Sequence, residues 1–92
     1  MLEAIKAALF ITDSDMDSVI TADIAAAIED MQRVGVTAAA ESSDSPSVTK
    51  CVELYCKWQQ NFLGLGDQFL KNYEKMRDGL SQCGDFNAND AE

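Results

Sequence analysis

TDSDMDSVITADIAAAIEDMQRVG, residues 12–35, is the stretch whose reading decides the fold of this chain. Met16, Ile20, Ile24, Ala27, Ile28 and Met31 recur at intervals of three and four, which lays one apolar stripe along about five helical turns. Asp13, Ser14 and Asp15 precede the stripe and are the candidate helix cap: their side-chain oxygens can accept from the unpaired N–H groups of a first turn, and their charge suits the positive end of the helix dipole. Gly35 stands where a left-handed residue closes a helix at least cost.

Working outward, Leu2, Ile5, Ala8 and Leu9 give a short helix with one apolar face, joined to the long one by a tight corner. Downstream, Val36 to Ser45 has no aromatic residue and no sustained period, and is expected to be a surface loop. Pro46 suits the first position of a third helix, with Ser45 as its cap. Val48, Cys51, Val52, Leu54, Tyr55, Trp58 and Phe62 then form a face broader than one small core needs, which points to contact with another subunit. Gly64 and Gly66 interrupt the pattern, and Asp67 is placed to cap a fourth helix bearing Phe69, Tyr73, Met76 and Leu80. The expected fold is all-α: a small bundle of about four helices around one long central helix, with an acidic surface loop. Residues 1–83 form the helical domain, and 84–92 form a polar, acidic, flexible C-terminal tail.

The composition narrows the function. With 92 residues and 47% hydrophobic content the chain can build one core and no more. A net charge of −9 argues against gripping nucleic acid through its phosphates or binding an anionic membrane. That charge is uneven, with nine acids against two bases in residues 1–44 and four against five in 45–82. The lopsidedness suits identical subunits that meet through unlike faces. Lys6 interrupts the early apolar run, so no secretory or membrane-spanning segment is expected, and the protein should be soluble and intracellular when made.

No residue pattern points to chemistry, and neither a cofactor, a metal nor an enzymatic activity is expected. Asp13, Asp15 and Asp17 imitate the opening of a calcium loop, but Ser18 and Ile24 stand where that loop needs Gly and Glu. Asp17-Ser18 imitates the attachment site of an acyl carrier protein, but Val19 follows and the preceding link is too short. The chain contains no histidine, which removes the usual base for a Ser or Cys nucleophile. Cys51 and Cys56 lie about 140° apart around a helix and make a poor zinc pair. An odd cysteine count without an export signal favours free thiols.

The order of elements resembles the small head-tail connector proteins of long-tailed bacteriophages, also called head-completion or DNA-packaging adaptors. The resemblance is carried by Leu2, Ile5, Lys6 and Leu9 in the first helix, Ile11-Thr12-Asp13 at the corner, and Asp17, Ile20, Ile24 and Ala27 in the second. It continues through Pro46, Val52, Leu54, Tyr55 and Tyr73; Phe10 stands where that family often has a basic residue. The resemblance implies a structural role in the virion neck, with host cytoplasm as the place of assembly. A homo-oligomeric ring of about twelve copies would dock beneath the portal protein, extend the channel through which double-stranded DNA passes, and offer a platform to the next neck or tail-completion protein. The candidate subunit or partner interface is Leu54, Tyr55, Trp58 and Phe62 on the third helix, with Glu41 and Asp44 in the loop and Asp85 and Phe86 in the tail. The alternative is a small acidic regulator that binds a host protein as a DNA mimic.

Overall fold

A computed structural model of the chain describes residues 1–37, 39, 40, 43 and 45–82. The expected all-α bundle is what forms. Among the described residues the helices are α1 (Leu2–Ala8), α2 (Asp17–Arg33), α3 (Pro46–Gln59) and α4 (Gly66–Ser81), with a 3-10 turn at Phe62–Gly64. The loop residues Glu41 and Asp44 and the tail with Asp85 and Phe86 lie outside the described residues.

The apolar stripe of α2 is buried as its spacing dictates: Ile20, Ile24, Ala27, Ile28 and Met31 all belong to the core. Although α2 is the longest helix, the hub of the bundle is α3, which packs on α1, α2, α4 and the 3-10 turn. Three helical neighbours account for the breadth of its apolar face, and Val48, Cys51, Val52, Leu54 and Cys56 are all buried against them. The segment after α2 is also less superficial than its composition suggests, since Val36 and Ala39 are fully buried. Gln32 Nε2 fixes it by donating to the Ala39 carbonyl at 2.7 Å.

The expected cap of α2 is corrected. The helix starts at Asp17 behind Met16, with no side-chain cap. Asp13, Ser14 and Asp15 instead shape the corner that precedes it: the Asp15 N–H donates to Asp13 Oδ1 at 3.0 Å, and the Asp17 N–H donates to the Ser14 carbonyl at 3.2 Å. An Asp side chain that closes a turn on its own backbone is not available to a helix three residues later. The acid that does occupy the first turn, Asp17, pairs with the nearly buried Lys6 at 2.8 Å and ties α2 to α1. The hydrogen bond to Asp17 raises the Lys6 pKa above 10.5. On the alkaline side the tie is therefore fully present up to that pH and is lost as pH rises through the higher folded value.

Ser45 does cap α3, accepting from the Val48 N–H at 3.4 Å with Pro46 behind it. Asp67 does not cap α4. The Gly66 N–H donates instead to Asn61 Oδ1 at 2.9 Å, and a Cβ on Gly66 would stand only 2.7 Å from that oxygen.

Among the described residues, three helices end on a left-handed residue. Gly35 closes α2 with φ 105°, the Val36 N–H reaching back to the Met31 carbonyl (2.9 Å) and the Gly35 N–H to Gln32 (3.0 Å). Asn61 closes α3 with φ 47°. At the end of α1 the same pair of bonds, Ile11 to Lys6 (2.9 Å) and Phe10 to Ala7 (3.2 Å), forces φ 60° on Phe10. A phenylalanine in this conformation carries a steric cost of about 1–2 kcal/mol that glycine escapes. Phe10 is 80% exposed, so removing its side chain forfeits little burial. Phe10→Gly is accordingly expected to stabilise the monomer by about 1 kcal/mol. A lower thermal midpoint for this variant would show that the ring contributes more than its backbone costs.

Candidate functional site: an aromatic cleft and an exposed apolar ridge

Two surfaces bear side chains of the candidate interface. The first is a cleft of about 200 Å³ between α2, α3 and α4, walled by Tyr55, Trp58, Leu70 and Tyr73 with Asp30, Glu74 and Arg77 among them. Tyr55 meets both Trp58 (5.2 Å between ring centroids) and Tyr73 (5.1 Å) edge to face, the geometry that aromatic quadrupoles favour.

A polar clasp underlies the cleft. Asp30 on α2 accepts from the Tyr73 hydroxyl at 2.6 Å and from Arg77 Nη1 at 2.9 Å, both on α4, and from Arg33 on its own helix. Burial works against the Asp30 charge, but these three donors outweigh it and hold its pKa below the ordinary 3.8. Burial together with the bond to Asp30 drives the Tyr73 hydroxyl well above the usual tyrosine range. Arg77 is further held by Asp78 at 3.0 Å and lies 5.6 Å from the Tyr73 ring centroid. Every charged member of the clasp is thus balanced within the monomer.

The second surface is apolar and protrudes. Phe10, at the end of α1, lies 5.9 Å from Phe62, which lies 6.2 Å from Phe69 on α4. Leu63 follows at φ 56° and is 75% exposed, and Leu65 is 46% exposed. Beneath the ridge, Lys57 Nζ sits 5.3 and 5.5 Å from the rings of Phe62 and Phe69 while paired to Glu53 at 2.9 Å.

The candidate interface residues therefore separate. Tyr55 and Trp58 line the cleft, Phe62 belongs to the ridge, and Leu54 is a core residue with no side chain to offer a partner. Sequence reasoning missed Leu63 and Leu65 as surface features, and it missed the Asp30, Tyr73 and Arg77 clasp. Only the clustering of Asn61, Gly64 and Gly66 signals an irregular turn there.

Burial pushes the thiols of Cys51 and Cys56 up to about 12, far from a reactive thiolate. Among the described residues no group of three or more His, Cys, Asp or Glu side chains is placed to hold a metal. None of the described helices is long and apolar enough to cross a membrane. Comparisons with protein families, curated proteins and solved structures gave no match.

Proposed function

We propose that this chain is an assembling structural adaptor of the head-tail connector kind, a subunit of a ring that docks beneath a phage portal and surrounds the DNA channel. The observation that carries the reading is the order of helices. A short helix turns at Ile11 and Thr12 into a long acidic one, and a proline-started hub and a last helix bearing Tyr73 follow. The surface fits the role. Asp13, Asp15 and Glu29 are exposed on the N-terminal half, whereas on α4 the exposed Lys71 and Lys75 stand among the exposed Asp67, Glu74 and Asp78, so one subunit offers an acidic face and one of mixed charge. An acidic lining repels the phosphates of DNA that must slide past it, within the roughly 10 Å over which charge acts at 0.1 M salt.

The test is to mix the purified protein with portal and image the product. Rings of this chain capping the portal are expected. A chain that never binds portal, and that instead recovers a nuclease or polymerase from host lysate, would replace this reading with the acidic regulator.

A further inference from the structure

We propose that the cleft between α2, α3 and α4 receives an arginine side chain of a partner protein, stacked on Trp58 and Tyr55 and met by the Glu74 carboxylate. This binding site goes beyond the adaptor role and does not depend on it.

Three observations carry it. The first is the wall. Trp58 and Tyr55 line the cleft and are half-buried, so part of each ring is left to solvent. Their planes stand at 86°, and the buried Tyr73 ring stands at 71° to Tyr55. Rings set nearly square to one another turn π faces in more than one direction around a common space, the arrangement that holds an organic cation. At about 200 Å³ the cleft is larger than the roughly 150 Å³ that admits a benzene ring. It takes the head of one long side chain and excludes a helix.

The second is a guanidinium already in place. Arg77 lines the same cleft and lies 5.6 Å from the Tyr73 ring centroid, so the monomer itself sets this group against the aromatic wall.

The third is charge. Arg33 and Arg77 are matched by Asp30 and Asp78. Glu74 lines the cleft, is exposed, and has no hydrogen bond or ion pair among the described residues. The excess negative charge is therefore its own, and Lys71 and Lys75 of the same helix do not line the cleft to cancel it. The Tyr55 hydroxyl senses the same sign of field: burial first, and then the charge of Asp23, raise its pKa above the ordinary 10.0.

Arginine suits this site better than lysine. Its guanidinium is planar, weakly hydrated and stacks on aromatic faces, and its fork meets a carboxylate with two bonds. A chain at −9 draws a basic partner from a distance, and Trp, Tyr and Arg are the side chains that most often anchor a protein interface.

Trp58 is the one tryptophan of the chain, so its fluorescence and its indole N–H resonance both read this cleft. The full chain is titrated at low salt with N-acetyl-arginine methylamide, with the citrulline equivalent, which has the shape without the charge, and with tetramethylammonium. The arginine derivative is expected to move both signals with a Kd of order millimolar. The citrulline derivative should bind at least about tenfold more weakly, the factor that a cation over aromatic rings and beside a carboxylate contributes. Glu74→Gln should weaken arginine binding about fivefold or more and melt with wild type, since the side chain it replaces is exposed and unpaired. The unchanged melt separates a lost contact from a damaged fold.

No movement of either Trp58 signal with the arginine derivative tenfold above that Kd overturns the proposal. So does equal binding of the citrulline derivative, or undiminished binding by Glu74→Gln. Tetramethylammonium binding more tightly than the arginine derivative would overturn it too, and would make the cleft a receptor for a small free ammonium ion.

Discussion

Replacing Ile20 by aspartate is expected to abolish the cooperative thermal unfolding of this protein or to lower its midpoint by more than about 20 °C. Ile20 is fully buried in the stripe of α2. A carboxylate there must stay charged without a partner or be held protonated at neutral pH, at about 4–5 kcal/mol. A domain of this size holds roughly 5–10 kcal/mol in total, so the substitution consumes most of the margin. Its neighbour is the control. Val19 is 44% exposed, and Val19→Asp should leave the midpoint within a few degrees. Circular dichroism melts of the two variants check the pair, and equal effects would show that the stripe does not face the core.

The second large effect belongs to the clasp. Asp30→Ala strips the partner from the Tyr73 hydroxyl, in a side chain only 1% exposed, and frees Arg77 from its α2 contact. Discounted for the partial exposure of Asp30, the loss is about 3 kcal/mol, or roughly 15 °C in the midpoint. Tyr73→Phe removes the donor and leaves the ring, and should cost only about 1 kcal/mol. The pH dependence gives a second readout. The Asp30 pKa lies below its ordinary 3.8, so its contribution is present above that pH and fades as pH falls through the lower folded value. Wild type should therefore lose stability on acidification faster than Asp30→Ala, and parallel acid limbs would show that the clasp carries none of it.

The parts of this fold that were legible in the sequence are those set by local periodicity. The α2 stripe, the Ser45-Pro46 start of α3, the Gly35 stop and the Tyr73 face of α4 each follow from spacing within a few turns. The failures share a cause. Whether Asp13 caps a helix or closes its own turn depends on small differences between two nearby hydrogen bonds. Whether Val36 is a loop residue or a core residue depends on what Met31 and α3 leave open. The left-handed backbone of Phe10 is imposed by two carbonyls of α1 that need donors, and nothing about phenylalanine announces it. Of the candidate interface, Tyr55, Trp58 and Phe62 do reach the surface. Leu54 sits on the same helix one turn-fraction away, and pattern alone cannot tell a face that meets a partner from one that meets a neighbouring helix.

One consequence of the clasp concerns motion. α4 leans chiefly on α3, the most extensive helix pairing in the bundle, and reaches α2 through Asp30, so removing Asp30 is expected to loosen α4 from α2 while leaving it seated on α3. Amide protection in α4 of Asp30→Ala would then fall while that of α3 holds. The fourth helix is in this sense carried by α3 and latched to α2, and the latch is a single carboxylate.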